Sequence, residues 1–187
     1  MGYLKNKYTK EYYTGKDAEG NQLNYGSTSS LDENSNYILR EQDESILKKI
    51  DFKEKNVLAL GCGRGEELVY AIENGANTKN SVGVDFSSEA IKIAKKLFDD
   101  KKLDSPVFYT DDALDFVVNY IPKVKGNKSK KFDIVIMFDF VEHVPREELI
   151  KVLDGLKNLL KKKAILVINT PAYKYDNGAI KNGYDER

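Results

Sequence analysis

The sequence predicts a three-layer α/β/α sandwich around a mostly parallel sheet, and three observations carry that prediction. Strand-like and helix-like segments alternate from about residue 56 to 170, the pattern of successive β–α–β units. Val57, Leu58, Ala59 and Leu60 form an unbroken apolar run, as a strand covered on both faces requires. Behind that run, Gly61, Gly63 and Gly65 stand at alternate positions before a helical stretch, and a second apolar strand closes on Asp85 twenty residues after Gly65.

A chain of 187 residues is most simply one domain with a sizeable core. Its 30 basic and 30 acidic side chains cancel and are interspersed, so nothing argues for a strongly charged partner such as duplex DNA. The single cysteine rules out an internal disulfide framework, and no signal peptide or long apolar segment is visible. A soluble cytoplasmic protein without a membrane or nucleic-acid partner is the expectation.

In chain order, residues 1–30 form a polar tail or cap ahead of a domain at 31–187. Tyr3, Tyr8, Tyr12, Tyr13 and Tyr25 stand there among Gly, Asn, Ser and Lys. They suit either a partly ordered tail packed on the surface or a lid offering rings and hydroxyls at low entropic cost. From Ser35 to Ile50 the spacing of Ile38, Leu39, Gln42, Ile46, Leu47 and Ile50 predicts a helix. Val57–Leu60 is the first strand, Glu66–Ile72 its following helix, and Gly75 the stop. Ser81–Asp85 is the second strand, Ser87 the cap of a helix running to about Lys101, and Pro106–Thr110 the third strand. Leu114–Ile121 is a helix stopped by Pro122. Lys123–Lys131 is a basic tract that fits an exposed connection better than a nucleic-acid contact. Phe132–Phe138 is the fourth and most apolar strand. Arg146–Leu160 is an amphipathic helix with Pro145 opening it and Lys161–Lys163 closing it favourably for the dipole. Ala164–Ile168 is the fifth strand, followed by a turn at Asn169–Pro171.

The spacing of the glycines narrows the ligand. A dinucleotide fingerprint is G-x-G-x-x-G, but here the third glycine comes one residue early and Glu66 fills its place. Glu66 and Glu67 in the first helical turn suit the helix dipole and would repel a pyrophosphate. A ligand without phosphate and with some positive charge is favoured. Asp85 stands where an acid receives the two hydroxyls of a ribose.

These residues resemble the class I S-adenosylmethionine (SAM) dependent methyltransferases, whose first motif has the form V-L-D-L-G-C-G-x-G and is matched at Val57–Gly65. Ala59 is the departure, standing where the family usually has an acid near the methionine end of the cofactor. Asp112-Ala113 resembles the motif that reads adenine, and Phe132–Met137 the family's F-D-x-V strand. The resemblance covers roughly Val57–Pro171. It implies a Rossmann-like sheet of order 3-2-1-4-5, with SAM held by Leu60, Gly61, Cys62, Gly63, Asp85, Phe86, Asp112, Ala113 and Phe138. S-adenosylhomocysteine would be the product, and a small molecule the methyl acceptor at O, N or C. It also implies an N-terminal cap, as many such enzymes carry. Only about 19 residues follow the fifth strand, too few for the family's closing helix and antiparallel pair. The sheet is therefore expected to lack that pair, or to be completed by a partner, which leaves a homodimer open.

Asp139–Val144 holds the single histidine. His143 suits a structural role, a general base whose unperturbed pKa is about 6.5, or, with Asp139 and Glu142, a metal site if the segment is helical. No metal is the expected outcome, since a further ligand is not evident. A SAM-binding domain without catalysis and, behind it, a nicotinamide-dependent oxidoreductase are the rival readings.

Overall fold

The computed structural model describes residues 12–13, 39–123 and 131–171. Most of residues 1–38, the basic tract after Lys123 and residues 172–187 lie outside the described residues, and with them the readings of a tail and of a missing sheet edge.

Helix α1 (Glu41–Leu47) leads into strand β1 (Val57–Leu60), helix α2 (Glu66–Glu73), β2 (Val82–Asp85), α3 (Ser88–Asp100), β3 (Val107–Thr110), α4 (Ala113–Lys123), β4 (Phe132–Phe138), α5 (Arg146–Leu159) and β5 (Leu160–Asn169). The five strands form one sheet of order β3-β2-β1-β4-β5, the predicted order. Every pairing is parallel. Alternate residues of each strand feed opposite apolar layers. Val57, Ala59, Ile134 and Ile136 pack with Leu47, Leu68, Ile91 and Phe98 on one face. Leu58, Leu60, Val135 and Met137 pack with Phe116, Val117, Val152 and Leu156 on the other. Strands buried on both sides explain the unbroken apolar runs. Each fully buried Leu, Ile or Phe contributes about 1.5–3 kcal/mol.

The predicted caps hold where backbone geometry demands a residue type. Ser87 Oγ accepts from the Ala90 amide at 3.3 Å and opens α3. Gly75, the predicted stop of α2, follows that helix with a left-handed backbone, φ 92°.

Four expectations need correction. In α1 the buried polar residue is Asp43, 1% exposed, whereas Gln42 is exposed. Asp43 is bonded by the Arg40 guanidinium and by Asn169 Nδ2 at 2.7 Å, so an ion pair replaces an apolar contact there. Helix α4 runs through Pro122 to Lys123, because a proline in the final turn removes only one donor. Lys161–Lys163 do not end a helix: α5 stops at Leu159 and β5 starts at once. The ladder pairs Phe132 with Leu160 and next Ile134 with Ile165, so the lysines are accommodated as an irregularity with Lys163 at φ 67°. Lys161 Nζ meets Asp133 Oδ2 at 2.7 Å. Finally, Val141–His143 is a single 3-10 turn rather than an α-helix, so Asp139 and His143 do not share a regular helical face.

Candidate active site

The carboxyl ends of β1, β2, β3 and β4 lie side by side, and the strand order reverses between β1 and β4, which is where ligands bind in open α/β sheets. The turn after β1 is tied to β2 by two of its main-chain amides. The Cys62 amide donates to the Val84 carbonyl at 3.0 Å, and the Gly63 amide donates to Asp85 Oδ2 at 2.9 Å. Asp85 Oδ1 accepts from the Ser87 amide at 2.8 Å. The Asp111 amide reaches the Asp85 carbonyl at 3.0 Å and so fixes the end of β3 beside it. Burial pushes the Asp85 carboxyl up, and the Ser87 and Gly63 amides counter that push.

The three glycines have different reasons. A Cβ on Gly61 would stand 2.6 Å from Phe140 Cδ2, so that position is filled by the ring of a residue just beyond β4. A Cβ on Gly65 would meet Ala94 at 3.3 Å, where α3 packs against the turn. Gly63 faces open space, with only Tyr13 Cε1 at 4.0 Å. It is the one that leaves room for a ligand.

Of the other predicted residues, Leu60 and Ala113 are buried in the second apolar layer, and Phe138 in the first. Phe86 is half-buried. Asp112 is half-buried at the entrance to α4, where its Oδ1 accepts from the Leu114 amide at 2.9 Å. Asp112 thus caps α4. Cys62 is buried, and that burial, with the charges of Asp85, Glu67 and Glu66, holds its thiol well above the ordinary range. It is no nucleophile at neutral pH.

Beyond β4 the backbone turns through Asp139 at φ 46°. Asp139 Oδ2 is 2.6 Å from Arg40 Nη2, and the Asp139 amide donates to the Asn169 carbonyl at 2.9 Å. Glu142 Oε2 accepts from the Thr170 hydroxyl at 3.0 Å. The His143 side chain is 39% exposed, with Nε2 3.9 Å from Glu142 Oε1. Among the described residues no three His, Cys, Asp or Glu side chains converge as a metal site would need.

Sequence reasoning missed Arg40 and Arg64, and read Glu67 only as a charged acid in the first turn of α2. Arg64 is 3% exposed inside the glycine turn. Glu67 is half-buried, and burial, then Glu66, pushes its carboxyl up to about 8.

A family model described as a methyltransferase domain matches residues 51–183. The chain belongs to that family. The methyltransferase domain is 32% identical over 108 residues to the mitochondrial ubiquinone biosynthesis O-methyltransferase of Saccharomyces cerevisiae, across 57% of this chain and 31% of that one. It is 25% identical over 119 residues to an O-methyltransferase of Stereocaulon alpinum, across 64% of this chain and 33% of that protein. The chain thus spans about a third of the length of these relatives. Among solved structures, a protein of Pyrococcus horikoshii superposes with TM-score 0.58 at 24% identity, over 74% of this chain and 59% of that one. The magnesium protoporphyrin IX methyltransferase of Synechocystis, solved with bound SAM, gives 0.51 at 18%, over 74% and 63%. These superpositions establish the fold. No helix among the described residues is long and apolar enough to cross a membrane.

Proposed function

We propose that this methyltransferase domain binds SAM in the turn after β1 and transfers its methyl group to a small-molecule acceptor in the cytoplasm. The observation that carries the reading is the bond between the Gly63 amide and Asp85 Oδ2 at 2.9 Å. It joins the one glycine that leaves room for a ligand to the acid at the end of the second strand. The donor set fits the cofactor. A carboxylate offers about four acceptor sites, and two main-chain amides on Asp85 leave capacity for two vicinal hydroxyls. Asp85 places a negative charge beside Cys62 and the glycine turn, which disfavours a pyrophosphate and suits a cationic nucleoside.

In this reading Leu60, Gly61, Cys62 and Gly63 shape the turn and Asp85 holds the ribose. Phe86, Asp112 and Ala113 bound the adenine, and Phe138 backs the cleft. Bound SAM supplies an activated methyl on a sulfonium, so the chain's own task is alignment and exclusion of water. His143, exposed at the β4 end of the cleft, takes the proton of an acceptor that arrives protonated. The named relatives act on oxygen, which favours an oxygen acceptor here.

Calorimetric titration of SAM, S-adenosylhomocysteine and NAD tests the reading. Binding of the first two, weakened about 10- to 100-fold by Asp85→Ala, is the expected result. Binding of NAD alone would overturn it, and tight SAM binding without turnover on phenols, amines and carboxylates would favour a non-catalytic domain. An unchanged pH profile in His143→Ala would remove the base.

A further inference from the structure

Arg64 lies within the glycine turn, yet its side chain is 3% exposed, a costly place for a guanidinium unless its donors are met. Nε and Nη2 both reach Glu66 Oε1 at 2.6 Å. Nη1 donates to the main-chain carbonyl of Tyr13, 51 positions upstream, at 3.0 Å. One fork thus spans the opening of α2 and a residue of the N-terminal region. Tyr13 is itself only 5% exposed. Its ring edge is the nearest atom to the space left open at Gly63, and Tyr12 braces that ring edge-on, with centroids 5.1 Å apart. Gly63 is in turn bonded to Asp85.

We infer that Tyr13 is a wall of the cofactor pocket and that Arg64 is its positioning residue, reaching through the glycine turn to set the ring over Gly63. The inference rests on the SAM reading above and deepens it. The five N-terminal tyrosines offered no distinction in the sequence. The Arg64 fork selects one of them.

The division of labour is testable because Arg64 holds the carbonyl of Tyr13 and not its ring. Tyr13→Ala keeps the anchor and removes the wall, and should weaken S-adenosylhomocysteine about three- to tenfold by calorimetry. Arg64→Met keeps the wall residue and removes its anchor, with a loss of similar size. Arg64→Lys should retain the Glu66 pair and recover part of the affinity. The double variant Tyr13→Ala/Arg64→Met should bind no more weakly than the poorer single one, since the two act through one contact. Fully additive losses, or an unchanged affinity in Tyr13→Ala, would overturn the inference. If thermal unfolding shows Arg64→Met to be unfolded, Tyr13→Ala and Arg64→Lys carry the decision alone. Failure of the unaltered protein to bind SAM or S-adenosylhomocysteine would instead sink the SAM reading, and this inference with it.

Discussion

The two halves of the cleft are built from different materials. On the side of β1, β2 and β3 the geometry is set mostly by main-chain amides: Cys62 to the Val84 carbonyl, Asp111 to the Asp85 carbonyl and Gly63 to the Asp85 carboxylate. On the side of β4 and β5 it is set mostly by side chains: Arg40 to Asp43 and Asp139, Asn169 to Asp43, Thr170 to Glu142. Main-chain constructions depend on backbone angles and admit few residue types. A web of side chains accepts many solutions. The first half should therefore fail through strain, and the second through loss of charge pairing.

The sharpest way to break the comparison is Gly61→Val. A side chain there meets the Phe140 ring at 2.6 Å on a backbone at φ 66°, so we expect a stability loss of about 3 kcal/mol by urea unfolding. The companion change Phe140→Ala should recover the steric part and leave the backbone strain. On the other side, Arg40→Met leaves Asp43, 1% exposed, without its cation and should cost about 2 kcal/mol.

Glu67 sharpens the contrast because it stands between the halves. Its folded carboxyl holds a proton up to about 8 against an ordinary 4.5, chiefly through burial and then Glu66. The folded form therefore binds more protons than the unfolded one across that window, and stability falls as pH rises through it. Glu67→Gln should flatten the slope and gain about 1 kcal/mol at pH 8, after allowance for partial exposure and for Arg40 nearby. A wild-type stability that rises from pH 5 to 8 would contradict the assignment. The smallest effect belongs to β5, where Ile168 is 45% exposed. Ile168→Thr should change stability by no more than about 0.5 kcal/mol, whereas Ile136→Val in the buried strand should cost about 1 kcal/mol.

The same contrast explains what could be read in advance. The sheet order and the turn through Gly61, Gly63 and Gly65 were legible because a parallel strand must be apolar on both faces and alternate glycines mark a backbone that runs through positive φ. Asp43 was misjudged because a helical stripe tolerates a buried acid once Arg40 and Asn169 meet it, and Asn169 is 126 positions away. Lys161–Lys163 were assigned to a helix end by charge, although the strand absorbs them. Asp112 shows the limit differently. Its carboxyl was read as a contact to adenine, and the bond it makes in the fold is to the α4 amide of Leu114. Arg64 had no signal, because a cation inside a turn looks solvated until its partners come into view.

The ring of Phe140 seated in the notch of Gly61 has a consequence for the history of such a domain. The turn after β1 and the segment beyond β4 share a hinge pin: enlarging the notch evicts the aromatic, and trimming the aromatic leaves the turn unsupported. Change in such a domain therefore falls more easily on the outer strand, where side chains are exposed and neighbours yield.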